Sequence, residues 1–222
     1  MERVYDPRYP NAPATEVHRP SAAATRGVAA IDWREELPVM VGRGMTLRSP
    51  QPFDAPSLWA LLTTPDVTRF ISRPPDTIDG FVRFIEWTAQ QRAAGQYVCY
   101  AVVPDDGEAA VGLFQIRGLD QPFARAEWGF AIGSRYWGSG LFAEGGQLVV
   151  DFAFTHIGVH RLEARAVTRN ARGNAALAKL GAQREAVLRH SFLKDGAYVD
   201  QNLWTIVRDD WRAKAVWGLK IH

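Results

Sequence analysis

The residues best suited to chemistry lie in one run, Glu127-Trp-Gly-Phe-Ala-Ile-Gly-Ser-Arg135-Tyr136-Trp137-Gly138-Ser139-Gly140-Leu141. A β-rich stretch ends near Ile132, a glycine-rich loop follows, and a helical pattern opens near Gly140. Backbone N–H groups of such a loop, together with the N-terminus of the helix, form an anion site carrying about half a positive charge from the helix dipole. Small residues let the chain approach a phosphate closely. Arg135 adds a forked guanidinium suited to phosphate oxygens. The natural occupant is the pyrophosphate of a bound cofactor. A plain tight turn also suits Gly-Ser-Gly, and the triplet alone does not decide between the two readings.

The elements that must position this loop follow from periodicity. Gly44–Arg48 reads as a short strand, and Asp54 stands where it can cap a helix carrying Leu58, Leu61 and Leu62. Residues 63–76 read as loop. Thr77 is a good N-cap for a second helix, with Ile78, Phe81, Val82 and Ile85 at helical spacing. Tyr97–Val103, Ala110–Arg117 and Ala124–Ile132 form an antiparallel meander, with Pro104-Asp-Asp-Gly107 as a turn. Then come a helix from Leu141 to about Thr155, a strand at Arg161–Val167 and a short helix at Arg172–Leu180. Strands at Ala182–Arg189 and Tyr198–Val207 flank Lys194-Asp-Gly196, and Asp209–Trp217 reads as a closing helix. An antiparallel run followed by one β-α-β unit gives an α+β class with a mixed, mostly antiparallel sheet.

Composition sets the bounds. The chain has 222 residues, 47% of them hydrophobic, with one cysteine, Cys99. No internal disulfide is available, and no run of about 18 apolar residues suggests a membrane span. The start lacks the pattern of a signal peptide, so the cytoplasm is the expected setting. The 26 basic and 24 acidic residues nearly balance. A dedicated nucleic-acid binder would cluster unopposed Lys and Arg. Five of the 13 prolines fall in the first 38 residues. Residues 1–42 are therefore expected to be a Pro-rich, partly extended or disordered arm, with anchors from Ile31 to Pro38 packing on the domain. Residues 43–222 form the domain.

Two cofactor readings compete for the loop. Gly138-x-Gly140-x-x-Ala143 fits the dinucleotide fingerprint, and Glu163 lies roughly the required distance downstream. That fingerprint needs a parallel sheet of repeated βαβ units, which the meander contradicts. A nucleotide P-loop is excluded because no Gly-Lys-Ser/Thr follows. The alternative is acyl-coenzyme A. Arg135-x-x-Gly138-x-Gly140 fits the Q/R-x-x-G-x-G/A loop of the GNAT acetyltransferases. From residue 43 to 212 the chain resembles that superfamily's ribosomal-protein N-acetyltransferase (RimJ/RimL-type) branch. The matching residues include Thr46-Leu47-Arg48, Asp54-Ala55, Glu127, Gly129, Phe130, Trp137-Gly138-Ser139-Gly140, Glu144, Phe152, Phe154, Gly158, Arg161-Leu-Glu-Ala164, Asn170, Leu177, Lys179, Gly181, Asp200 and Trp204.

The resemblance implies a GNAT fold with a V-shaped gap between the fourth and fifth strands, helices on both faces, and acetyl-CoA in the gap. It implies pairing of the pantetheine arm with the backbone of Phe130, Ala131 and Ile132, and pyrophosphate held by Arg135, Tyr136, Trp137, Gly138, Ser139, Gly140 and Leu141. Asn170, Asn174 and Lys179 are expected near the cofactor; a helix-end polar group and a solvated lysine are the plainer alternatives. No metal is implied. Glu127 is the candidate base, or else a structural partner of an amide or of Arg125. Ser191, Asp200 and His190 are further polar candidates.

Gly173 stands where the branch often carries a serine that protonates the thiolate. Ser191 stands where some relatives carry a glutamate. The resemblance puts Trp59, Phe70, Phe81, Phe84, Trp87, Arg69 and Arg73 in the part of the fold that borders the acceptor site; most of the aromatics are expected to be core with a few shaping the pocket, and the two arginines to be solvated surface or a positive charge for an acidic substrate. The expected activity is acetyl transfer to a primary amine, in particular the α-amine of a protein N-terminus. Small-molecule amines (an aminoglycoside, polyamine or amino-acid derivative) and a non-catalytic CoA-binding module are the alternatives. The sequence leaves open a second copy of the chain as a partner.

Overall fold

A computed structural model of the chain describes residues 32–120 and 123–211. Eight strands form one mixed sheet: β1 (Met40–Val41), β2 (Met45–Arg48), β3 (Tyr97–Pro104), β4 (Gly112–Gly118), β5 (Arg125–Ile132), β6 (Arg161–Val167), β7 (Gln183–Lys194) and β8 (Ala197–Val207). Their order is β1-β2-β3-β4-β5-β6-β8-β7, antiparallel except where β5 meets β6. The expected fourth and fifth strands are β5 and β6, because a two-residue strand precedes the first one read from the sequence.

The helices are α1 (Ala55–Leu62), α2 (Pro65–Thr68), α3 (Ile78–Ala93), α4 (Leu141–Phe152) and α5 (Ala171–Leu180). The expected loop over residues 63–76 holds the single turn of α2, opened by Pro65 at its first position. Most of the expected arm, residues 1–31, lies outside the described residues. Its last part is packed: Trp33 and Leu37 are buried in the core, and β1 pairs with β2. Of the expected closing helix, residues 209–211 are helical and the rest lies outside the described residues.

The sheet has two covered faces, and β3 shows why. Every residue of β3 is buried. Successive side chains of a strand point to opposite faces. Val98, Tyr100 and Val102 join the core beneath α4 and α5, while Tyr97, Cys99, Ala101 and Val103 join the core beneath α1 and α3. Thr77 caps α3 by accepting from the Gly80 amide at 3.0 Å, as its position suggests. Asp54 does not cap α1 through its side chain. It is fully buried and takes a forked pair from Arg48 at 2.7 and 2.8 Å, plus the amides of Gln51 and Ala110. It thereby ties β2 to the loop before β4. Helix α4 lies close on the sheet because Gly145 carries no side chain: a Cβ there would stand 2.6 Å from the Phe114 ring.

Candidate functional site

The site begins where two strands part. β5 and β6 pair only over Arg125–Arg161, Ala126–Leu162 and Glu127–Glu163. Beyond that rung β6 pairs with β8 alone and β5 with β4 alone. The result is the expected V-shaped gap. Its β5 wall has a defined polarity. The Gly133 amide donates to Val111 on the β4 side at 2.9 Å. Alternation then directs the backbone of Ala131, Gly129 and Glu127 to β4, and that of Phe130 and Ile132 into the gap. The Ile132 carbonyl accepts the Trp137 indole N–H at 2.8 Å. Phe130 thus presents both its N–H and C=O to the gap, and Ile132 its N–H. Ala131, expected with them, turns its backbone away because a strand alternates.

The loop after β5 is held from below. Phe130 packs on Phe142 of α4 with ring centroids 4.2 Å apart. Ser139 Oγ donates to the Tyr136 carbonyl at 2.7 Å. Gly138 and Gly140 adopt φ of 85° and 93°, the left-handed region that favours glycine, and nothing lies within 4 Å of where either Cβ would be. Gly140 is the N-cap of α4 and makes no side-chain cap. Among the described residues no hydrogen bond takes up the amides of Gly138, Gly140, Phe142 or Ala143. Donors left over at a helix start need an acceptor, and a pyrophosphate supplies several. Leu141 is buried and anchors the helix start, with its amide 3.5 Å from Ser139 Oγ.

Arg135 is exposed and rests on Tyr136, 4.9 Å over the ring and 3.0 Å from its hydroxyl. A second cation, missed from the sequence, flanks the loop: the Arg172 guanidinium of α5 lies 4.4 Å over the Trp137 ring. Its only sequence signal is a basic residue in the first turn of the helix after the fifth strand.

The α5 residues divide by role. Asn170 caps the helix, accepting the Gly173 amide at 2.9 Å. A Cβ on Gly173 would stand 2.5 Å from Asn170 Nδ2, so any side chain at this position would require the capping amide to shift. Asn174, expected at the cofactor, has no capacity left for one. Its amide donates to Asn170 O at 2.8 Å and Val167 O at 3.0 Å, and its oxygen accepts from Asn202 at 2.7 Å and Trp204 at 2.8 Å. Asn174 is a latch holding α5 to β6 and β8. Lys179 is exposed in the last turn of α5, where a cation complements the dipole. It lies about 13 Å along the helix from Asn170.

Glu127 is buried and ion-paired with Arg117 from β4, its partner across the ladder. Arg125, the alternative partner, instead pairs with Asp120. Beside Glu127, Glu163 pairs with Arg161 at 2.9 Å, and Arg161 forks onto Glu185 at 2.8 and 2.6 Å. The Arg161 hydrogen bond, then the Thr205 hydroxyl at 2.7 Å, holds the Glu185 carboxyl down to about 2.

The other expected catalytic groups lie on β7 and β8. Asp200 accepts the His190 backbone amide at 2.9 Å, fixing the β7 bulge where His190 takes a φ of 48°. Strand alternation puts Asp200 on the α5 side with Asn202 and Trp204, the opposite face from Glu127. Ser191 lies in the same bulge, its hydroxyl 3.0 Å from Leu188 O and 2.9 Å from Gln201 Oε1. Of the acceptor-side aromatics, Phe81 and Phe84 are fully buried core, Trp87 packs edge-on to Tyr97, and Trp59 is 40% exposed. Arg69 lies over Phe70, and Arg73 is exposed.

Residues 45–183 match the family described as "Acetyltransferase (GNAT) domain". The chain is 26% identical over 168 residues to the uncharacterised N-acetyltransferase p20 of Bacillus licheniformis, covering 75% of this chain and 94% of that one. It is 32% identical over 97 residues to a spermidine N(1)-acetyltransferase of Escherichia coli, covering 44% and 52%. In fold it is similar to Mycobacterium smegmatis RimJ in complex with CoA-disulfide, with a TM-score of 0.71, 20% identity and coverage of 84% and 96%. The family match spans more than half of the chain. The chain belongs to the GNAT acetyltransferase family and is an N-acetyltransferase.

Proposed function

We propose that the chain transfers an acetyl group from acetyl-CoA to the α-amine of a peptide or protein N-terminus. The observation that carries this reading is the position of Glu127. Its buried carboxylate sits on the last rung before the gap opens. The loop amides, Arg135 and Arg172 suit the pyrophosphate, and the β5 edge at Phe130 and Ile132 suits an extended amide-bearing arm, as an added strand would pair.

Acetyl-CoA supplies an acyl group activated as a thioester. The amine forms its N–C bond as the C–S bond breaks, and the displaced sulfur leaves as thiolate or thiol. Glu127, directly or through one water, takes the proton that the amine must lose. An α-amine, with pKa about 8, offers a neutral fraction far more readily than a lysine at about 10.4. With Gly173 in place of a serine, the thiolate leaves without a dedicated acid, as its pKa of about 8.5 permits.

Charge matching supports a monoamine acceptor. Glu127 is ion-paired with Arg117, and Glu163 and Glu185 both engage Arg161, so each of these carboxylates already has a cationic partner with which a second ammonium group would have to compete. The rival reading, a polyamine acceptor, draws on the partial likeness to the spermidine enzyme. Thiol release from acetyl-CoA, measured with Ser- and Ala-initiated peptides and with spermidine, tests the proposal. The peptides are expected to show the higher kcat/KM. The reverse order, or turnover of spermidine alone, overturns it.

A further inference from the structure

Two side chains on the Glu127 face have unmet hydrogen-bonding capacity. Gln115 on β4 is 7% exposed and Gln201 on β8 is fully buried, yet neither Nε2 has a hydrogen-bond partner among the described residues. The Trp128 indole N–H is also buried and unpaired, but alternation turns it to the α4 face.

Register places both glutamines on one face of the sheet. Gln115 is opposite Gly129, two residues beyond Glu127. Gln201 is opposite Val167, four residues beyond Glu163. Residues directly opposite share a face, and so do every second residue along a strand. Gln115, Glu127, Glu163 and Gln201 therefore belong to the face that carries α1 and α3, with the two glutamines on either side of the parted strands. Gly129 puts no side chain between Gln115 and the gap. Ser191 fixes the Gln201 amide through Oε1, leaving its N–H groups unengaged.

A buried, unsatisfied donor destabilises a fold by itself. Two of them flanking a reaction gap are explained by a ligand that brings acceptors. The phosphate loop lies at the start of α4, the helix on the opposite face, so the amine enters from the glutamine side. We propose that Gln115 and Gln201 bind main-chain carbonyl oxygens of the acceptor and so select an amine that sits next to a carbonyl over a simple alkylamine. This rests on the peptide reading above and names the groups that would produce it.

The test compares a seryl tripeptide amide with ethanolamine, which keeps the amine and hydroxyl but lacks the carbonyl. The variants are Gln115→Met and Gln201→Met, with Gln201→Glu, which keeps an oxygen toward Ser191, as the second choice if the latter does not fold. A lost hydrogen bond to a buried partner should lower peptide kcat/KM about tenfold or more. Ethanolamine turnover should change by less than about threefold on the same scale. The Gln115→Met melting temperature should not fall, because no protein partner of Nε2 is removed; a purely structural role would lower it. Equal loss with both acceptors would assign the donors to the acetyl group and overturn the proposal. No loss with either would overturn it as well. If the wild-type chain acetylates ethanolamine and no peptide, the acceptor reading itself falls and this inference falls with it. If it acetylates peptides and the variants do so equally well, only this inference falls.

Discussion

Glu127 and Glu163 are partners on the last rung that joins β5 to β6, two carboxylates side by side at the apex of the gap. Like charges at adjacent positions repel, and each has an arginine partner, Arg117 for Glu127 and, shared with Glu185, Arg161 for Glu163. The two differ in what else they meet. Glu163 belongs to a network that continues through Arg161 to Glu185 and Thr205. Glu127 is the more deeply buried and is ion-paired with Arg117.

The proton-transfer role proposed for Glu127 has a direct test. Glu127→Gln keeps the shape and removes the base. It is expected to lower kcat by about 10²–10⁴-fold, the usual contribution of a positioned base, and to leave the Kd for CoA within about threefold. Steady-state thiol release and calorimetric CoA binding measure the two. An unchanged kcat removes Glu127 from the role.

The phosphate loop makes a separate prediction. A valine at Gly138 meets no neighbouring atom, since the space around its Cβ is open. The penalty is in the backbone: a φ of 85° costs an L-residue about 1–2 kcal/mol, more for a β-branched one. Gly138→Val should therefore fold, with the loop rearranged and its amides misdirected. The expected result is CoA affinity weakened about tenfold or more, alongside a near-normal melting temperature. Intact CoA binding contradicts the loop assignment.

The sequence made legible whatever local pattern encodes. Thr77 starts α3 where its hydroxyl can cap, and Asp195-Gly196, with φ of 47° and 82°, turns the β7–β8 hairpin as an Asp-Gly pair should. The gap was reachable through the family resemblance, and the register of β5 and β6 bears it out. Less was legible where the pattern is short or broken. Two residues of β1 are too few to show a period. The bulge between Leu188 and Phe192 slips the alternation, so β7 extends to Lys194 where the sequence stopped it at Arg189. Partner choice was least accessible. Asn174 meets Asn202 and Trp204 about thirty residues on, and Gln115 meets Gly129 only through the ladder; neither pairing leaves a mark on spacing.

The hairpin side of the sheet carries a pH-dependent contribution. Glu185 is held at about 2 in the fold, against an ordinary value of 4.5, first by Arg161 and then by Thr205. A depressed carboxyl stabilises the fold fully above its unfolded value, and this contribution is lost as pH falls from about 4.5 toward about 2. Glu185 is largely exposed, so solvent screening keeps the effect small. Glu185→Gln should flatten the dependence of stability on pH in that window and leave it unchanged above pH 6. Urea unfolding at a series of pH values measures the slope. A variant that keeps the wild-type slope shows that other groups set it.

The last prediction separates a latch from a ligand. Asn174 satisfies Asn202 and the Trp204 indole while holding the carbonyls of Val167 and Asn170. Asn202 and Trp204 are buried, so removing the amide leaves donors without partners. Each orphaned buried group costs about 1–3 kcal/mol. With two such groups, Asn174→Ala should lower stability by about 2–6 kcal/mol, read as an earlier urea midpoint at unchanged m. If the side chain touched the cofactor instead, the loss would appear in the Kd for CoA with little change in the midpoint. Measured below the unfolding transition, CoA affinity of the variant is expected to stay within about threefold of wild type. Asn170→Ala removes a single cap worth about 1 kcal/mol, so it should unfold only slightly earlier. Its effect on CoA binding then reports on the helix start that faces the gap, with Asn174→Ala as the internal comparison.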